Sequence, residues 1–309
     1  MKRVIMTGGS GFVGGHFINE LISRNIEVTV LTSSPEKIPE NPLVKTLKRE
    51  LVIEIDNDAE KFSDNYDAFY HLGWSGVDGK QKNNADLQIE NIYSAVKLFE
   101  FSKKIGCKRF IATGTVAEYT CCKEIADFSE KQSPNDLYGA TKVAVHYMLE
   151  AMAKHLNHNL IWAVVPSTFG EGRTGDNILT YTILSCLKKE KPLYGSLEQM
   201  WDFLYVTEVA RALYLIGEYG KDNTTYGIGS GEYRQLKSYI ETIRNMIDPD
   251  LPLGICEKPT LKVSIFNSCV NIDLLTRDTG FVPQISFEEG MKKTIDYYKN
   301  YIKESVKHE

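Results

Sequence analysis

Thr7-Gly8-Gly9-Ser10-Gly11-Phe12-Val13-Gly14 follows directly on the apolar run Arg3 to Thr7 and leads into a segment whose Phe17, Ile18, Leu21 and Ile22 share one helical face. A strand that turns through glycines into a helix is the opening of a doubly wound α/β fold built on a parallel sheet. Without Cβ atoms, the backbone of such a turn can approach a pyrophosphate at the N-terminus of the helix, where free N–H groups favour negative charge. Gly8, Gly11 and Gly14, with Phe12 and Val13 at the helix start, are the expected contacts. The competing reading is a glycine turn used only for tight packing. Its place between a first strand and an amphipathic helix favours the dinucleotide.

The same rhythm continues outward. Apolar, β-branched runs at Glu27 to Leu31, Leu51 to Ile55, Ala68 to Leu72, Arg109 to Thr113 and Leu160 to Val165 are expected strands. Helical stretches lie at about Ala85 to Ile105 and Tyr138 to Lys154. Strands alternating with helices predict a parallel sheet with crossover helices, a Rossmann-type domain over residues 1–170. After Pro166 the text becomes richer in turns, at Phe169 to Arg173 and again at Asp222 to Gly231. A smaller substrate lobe is expected to occupy most of 171–309. It interleaves with the first domain through segments around 201–230, where Trp201 to Val206 has strand character and Glu208 to Gly217 is helical.

In the second long helix Tyr138 and Lys142 form a Tyr-x-x-x-Lys step. Residues four apart share a helix face, so the ammonium is expected beside the phenol, favouring its ionised form. A phenol tuned in this way passes a proton near neutral pH. The alternatives are a core tyrosine and a surface lysine.

The bulk numbers limit the partners. A net charge of −5 over 309 residues opposes a general attraction to nucleic acid or anionic lipid. No apolar stretch approaches a membrane span or a signal-peptide core, so a cytoplasmic location is expected. Six cysteines without a C-x-x-C pair predict reduced thiols and no metal site. The adjacent Cys121 and Cys122 are read as ordinary cysteines, with a redox pair as the alternative.

The glycine turn, the hydroxyl-rich segment Ala112-Thr113-Gly114-Thr115-Val116-Ala117-Glu118-Tyr119 and the Tyr-x-x-x-Lys step together resemble the extended short-chain dehydrogenase/reductase superfamily. Within it the similarity is to the NAD-dependent epimerase/dehydratase branch, which acts on nucleotide sugars. The resemblance runs nearly end to end, through His71-Leu72-Gly73-Trp74, Asn91, Pro166 to Gly170, Trp201 to Val206 and Gly280 to Pro283. It implies a catalytic set of Thr115, Tyr138 and Lys142, with Thr113 as the rival of Thr115. Leu72, Gly73, Trp74, Asn91, Thr113 and Pro166 are implied at the cofactor, with Lys142 also holding the nicotinamide ribose. Trp74, Thr115, Ser167, Asn177, Trp201 and Arg234 are implied at a nucleotide-diphospho-sugar. For Asn177 a helix cap is the alternative, for Arg234 a surface arginine, and for Trp74 core packing. His71 is read as a packed residue. Relatives commonly form homodimers through the two long helices, where Leu87, Val96, Leu98, Phe99, Val143, Tyr147 and Met148 offer apolar area.

Departures from the family pattern narrow the reaction. Members that also eliminate water carry an Asp-Glu pair where this chain has Val116 and Ala117, so the dehydratase reading weakens. Glu118, one place further, is read as structural. Simple hydride transfer at C4 remains, as reduction of a 4-keto sugar or as 4-epimerisation. The second strand runs into Thr32-Ser33-Ser34, with no carboxylate to accept from the adenosine ribose and with Lys37 nearby. NADP(H) is therefore favoured over NAD(H), and a reductase over an epimerase. Asp56 is placed near the end of the third strand, facing the adenine amino group or capping a turn. Two further readings stay open: reduction of a non-sugar carbonyl, and a non-catalytic dinucleotide sensor, which would have no use for the proton donor.

Overall fold

The computed structural model describes residues 1–48, 59, 62, 65–119, 134–175, 177–258 and 269–305. Its centre is a parallel sheet of seven strands: β1 (Arg3–Thr7), β2 (Glu27–Thr32), β3 (Val44–Lys48), β4 (Ala68–His71), β5 (Arg109–Thr115), β6 (Asn159–Val165) and β10 (Thr224–Gly227). They lie in the order β10-β6-β5-β4-β1-β2-β3, with β1 pairing both β2 and β4. Val4, Ile5 and Met6 are fully buried, as expected of parallel strands covered on both faces.

One face is covered by α1 (Phe12–Ser23) and α5 (Val206–Tyr219), whose Phe17, Ile18, Leu213 and Ile216 join one core. The other carries α2 (Ala85–Lys104) and α3 (Leu137–Leu156), which bury Leu98, Phe99, Val145 and Leu149. Both long helices begin on side-chain caps. Asn84 accepts from the Leu87 N–H at 3.2 Å, and Asp136 from the Gly139 N–H at 2.7 Å.

A second core joins α4 (Ile178–Leu187), α6 (Leu236–Ile247) and α8 (Phe287–Ser305) around Tyr239, Ile240 and Phe287. Short strands link it to the cleft: β7 (Ser167–Phe169) pairs with β9 (Phe203–Tyr205), and β8 (Met200–Trp201) with β11 (Arg234–Gln235). A short helix, α7 (Asp273–Thr279), packs against α5. β10 and α5 both come from the second half of the chain, so that half returns to the large sheet.

One expected element differs. The strand after β2 is Val44–Lys48, which pairs with β2 along its whole length. It is the sheet's edge, half-exposed with lysines among its apolar residues, so it lacks the continuous apolar run of an interior strand. The expected strand at 51–55, Asp56, and Cys121 and Cys122 all lie outside the described residues. Among the described residues no helix is long and apolar enough to cross a membrane, no cluster of side chains could hold a metal, and Cys107, Cys186, Cys256 and Cys269 are free thiols.

Candidate active site

The turn after β1 leaves no room for side chains. A Cβ on Gly14 would stand 2.0 Å from the Gly8 carbonyl oxygen, and one on Gly8 would stand 2.5 Å from the Gly73 nitrogen. Gly8 also has φ +76, and its carbonyl accepts the Gly11 N–H at 3.0 Å. The helix that follows starts at Gly11 with no capping side chain and no acidic residue in its first turn. Its open N–H groups and positive dipole end face a cleft of about 460 Å³ lined by Gly8, Gly11, Phe12, Val13 and Gly14. This cradle fits the pyrophosphate of a dinucleotide.

Thr115, Tyr138 and Lys142 come together in the same cleft from two elements. Thr115 is the last residue of β5. Its Oγ1 accepts the Ala117 N–H at 3.3 Å, and its side chain acts on the Tyr138 phenol, pulling its ionisation down. Tyr138 and Lys142 stand on the first turns of α3. The Lys142 Nζ donates to the Thr113 carbonyl at 2.7 Å and lies 3.7 Å from the centre of the Trp74 ring. The edge of that ring meets Tyr138 at 6.4 Å between centroids.

The electrostatics differ from the sequence expectation. Burial pushes the Tyr138 phenol up to about 12; the Thr115 side chain opposes this, and the carboxylates of Glu118, Asp136 and Asp78 add to it. Lys142 is not what governs the phenol, because its ammonium is turned to Thr113 and Trp74. Burial pushes Lys142 itself down to about 7, against the pull of Glu118. The geometry thus holds Tyr138 as a protonated acid and gives Lys142 a charge that changes near neutrality.

The other expected residues divide. Leu72, Trp74, Thr113, Pro166, Ser167 and Trp201 line the cleft. The Thr113 hydroxyl is directed to the His71 carbonyl at 3.3 Å, which leaves Thr115 as the hydroxyl beside the phenol. Gly73 lies against Gly8, and its N–H donates to Thr7 Oγ1 at 3.3 Å. Asn91 is buried away from the cleft; it grips both backbone groups of Ser75 at 2.9 Å and so holds the loop carrying Trp74. Thr32 is buried and accepts the Ser34 N–H at 3.1 Å, leaving Ser33 exposed and Ser34 half-buried at the end of β2. Asn177 caps α4 through the Thr180 N–H at 2.9 Å. Arg234 stands opposite Trp201 in the β8–β11 pair, but its guanidinium is bound by Glu288 at 2.5 Å and by Glu232 at 3.2 Å, outside the cleft lining. His71 is buried, bonded to Thr7 at 2.8 Å, and pushed down to about 3 by burial, so it is neutral packing.

Several residues at or next to the cleft were not anticipated from the sequence, Lys82, Asp78 and Gln88 among them. Lys82 and Asp78 line the cleft from the loop after β4 and from the short 3-10 turn there. Lys82 lies 5.4 Å from the Tyr138 ring centre, and Asp78 pairs with Arg173 across the mouth at 3.3 Å. Gln88 on α2 accepts the Trp74 indole N–H at 3.0 Å. Loop residues carry no periodicity that would betray them. Asp136, which caps α3 and lines the cleft, also went unread, although an Asp just before a helix is the signal that would have found it.

The profile of the NAD dependent epimerase/dehydratase family matches residues 4–229. The chain belongs to that family. It is an NAD-dependent enzyme of the short-chain dehydrogenase/reductase type. It is 26% identical to a dTDP-4-dehydro-6-deoxyglucose reductase of Escherichia coli over 94% of this chain and 96% of that one. It is 28% identical to a dTDP-glucose 4,6-dehydratase of the same species over 96% and 94%. Its fold is similar to that of UDP-glucose 4-epimerase from Thermotoga maritima, solved with UDP-glucose. The TM-score is 0.84 at 21% identity, covering 97% of this chain and 99% of the other. The glycine cradle, Leu72, Trp74, Lys142 and Pro166 line one and the same cleft.

Proposed function

We propose that the chain reduces the C4 ketone of a nucleotide-diphospho-sugar in the cytoplasm, taking NADP(H) in preference to NAD(H). The bound dinucleotide supplies or accepts the hydride. Tyr138 gives its proton to the substrate oxygen, the Thr115 hydroxyl orients that oxygen, and Lys142, fixed on the Thr113 carbonyl and over the Trp74 ring, would hold the nicotinamide ribose.

The observation that carries this reading is that Thr115, Tyr138 and Lys142 line one cleft whose next two positions after Thr115 are Val116 and Ala117. An elimination of water needs a free acid and base there. Among the described residues, the carboxylates that line the cleft, Asp136 and Asp78, are occupied, the first capping α3 and the second paired with Arg173. The NADP(H) preference is supported by the hydroxyls and Lys37 after β2 and by the lack of an acid at that point. A 4-epimerase would use the same three residues, and the fold is shared with one.

The purified protein is to be offered UDP-, dTDP-, CDP- and GDP-linked 4-keto-6-deoxyhexoses with NADH and with NADPH, following nicotinamide absorbance. Oxidation of NADPH with one nucleotide series is the expected result. Interconversion of a UDP-hexose without added cofactor, and silence in the reductase assay, would replace the reductase by the epimerase. We also propose a homodimer through α2 and α3. Leu98 and Phe99 are buried in the monomer's own core, so the available area is Ile89, Tyr93, Tyr147 and Met148, all exposed.

A further inference from the structure

We propose that Glu118, whose second carboxylate oxygen faces His146 one helical turn beyond Lys142, is a positioning residue of the reaction: it fixes the Thr115 backbone and sets the surroundings of the Lys142 ammonium. The inference deepens the hydride-transfer reading and rests on it for turnover, though not for its physical core.

The turn after β5 folds the Glu118 side chain back beneath Thr115. Its Oε1 accepts the Thr115 N–H at 2.7 Å, and the Ala117 N–H is taken by Thr115 Oγ1, so the two residues cap each other. The Ala117 N–H occupies one lone pair of the Thr115 hydroxyl and leaves its proton free to be donated. Glu118 is completely buried. Gly114 makes room for it, since a Cβ there would stand 2.5 Å from Glu118 Oε1 and 2.2 Å from Trp162 Nε1.

A glutamine would cap the turn equally well, so the cap alone does not account for a carboxylate. Burying a charge costs several kcal/mol unless it is paired. Glu118 Oε2 has no hydrogen bond, and what it faces is His146 Nδ1 at 3.7 Å. His146 stands one turn beyond Lys142 on α3, so Tyr138, Lys142, His146 and Glu150 follow one another at intervals of four along the same side of the helix. The imidazole is locked. It stacks on Trp162 at 4.4 Å and 6°, and its Nε2 meets Thr225 Oγ1 of β10 at 3.2 Å and Glu150 Oε1 at 3.4 Å. A second groove of about 360 Å³, lined by His146, Glu150, Lys154 and Thr225, opens on that side.

The groups around the reacting pair share out as follows. Glu118 on the β5 turn and the Trp74 ring act on Lys142, which in turn acts on the neutral His71 of β4; Glu118, Asp136 and Asp78 act on Tyr138. A negative charge at Glu118 favours a charged lysine and a protonated phenol together. That is the state in which Tyr138 acts as an acid.

The test compares the wild type with Glu118→Gln, which keeps an acceptor for the Thr115 N–H and removes the charge. His146→Phe, which keeps a ring against Trp162, is the second variant. The ionisation midpoint of Lys142 is read in protein without added dinucleotide by NMR of 15N-labelled lysine side chains, assigned with Lys142→Met. Glu118→Gln is expected to bring that midpoint about one pH unit lower. The high-pH limb of turnover should fall with it, kcat should drop about tenfold, and KM should stay near the wild-type value. His146→Phe is expected to move the midpoint the same way by less. If Glu118→Gln fails to fold, the His146→Phe result decides. A Lys142 midpoint unmoved in the folded variants would overturn the proposal and leave Glu118 as a cap. A midpoint that moves in a protein with no turnover on any ketone would retain the buried pair and remove the hydride-transfer reading instead.

Discussion

The Lys142 ammonium stands 3.7 Å from the centre of the Trp74 indole, whose edge rests on the Tyr138 ring. One aromatic side chain thus touches both Tyr138 and Lys142. A desolvated cation–π contact contributes about 2 kcal/mol, so Trp74→Leu should lower turnover by roughly tenfold or more. Trp74→Phe should recover most of it. Turnover unaffected by the leucine would show that the ring face is only packing.

Lys142 makes stability depend on pH. Burial holds its folded value at about 7, whereas an unfolded lysine titrates near 10.5. Between those values the unfolded chain binds a proton that the folded chain does not, so stability rises with pH across this window. Below about 7 the folded state bears the full penalty of a buried ammonium. Lys142→Met should therefore raise stability at pH 6 by on the order of a few kcal/mol, seen as a higher Tm, and the gain should shrink to nothing above pH 10.5. Equal gains at pH 6 and pH 10 in thermal melts would contradict the buried charge.

Tyr138→Phe removes the phenol and leaves the ring edge against Trp74. Positioned general acids contribute about 10² to 10⁴ in rate, and a loss of that size is expected. Dinucleotide affinity, followed by calorimetry, should change little, because the glycine cradle lies elsewhere in the cleft. A variant that binds poorly as well would place the phenol in cofactor binding.

The exposed Tyr147 and Tyr93 bear on assembly. Both lie on the outer side of α3 and α2, beside Met148 and Ile89. Burying a side chain of this kind contributes about 1.5–3 kcal/mol. Tyr147→Glu should accordingly shift the protein toward monomer in sedimentation at micromolar concentration, with Tm of the monomer unchanged. If the wild type already sediments as a monomer, α2 and α3 are not an interface.

Much of the sheet was legible because interior parallel strands are continuous apolar runs. Val4 to Met6 and Ile161 to Val164 announce themselves. Val44–Lys48 did not, since an edge strand mixes lysine with leucine. The cleft was readable where chemistry forces residue type and spacing together, as in Gly8 to Gly14 and in Tyr138 and Lys142. It was unreadable where distant segments meet: Asp78 reaches Arg173, and Glu118 reaches His146, across gaps that no periodicity spans. Arg234 looked available for a diphosphate because its partner Glu288 lies more than fifty residues away in the chain.

The glycine cradle gives the sharpest steric prediction. A methyl group at Gly14 would stand 2.0 Å from the Gly8 carbonyl oxygen and 2.9 Å from the Gly9 Cα. These are backbone atoms, so no rotamer relieves the clash; either α1 must withdraw or the turn must open. Withdrawal separates the α1 N-terminus from the cleft and removes the N–H groups that would meet a pyrophosphate. Gly14→Ala should therefore weaken dinucleotide binding by at least tenfold, at a cost in stability of about 1–3 kcal/mol from overpacking. Gly15→Ala is the control, because a Cβ there meets its nearest atom at 3.9 Å. Calorimetric titration of both variants with NADPH and NADH separates the two effects. Binding by Gly14→Ala as tight as by Gly15→Ala would mean that the ligand is held elsewhere than on this turn.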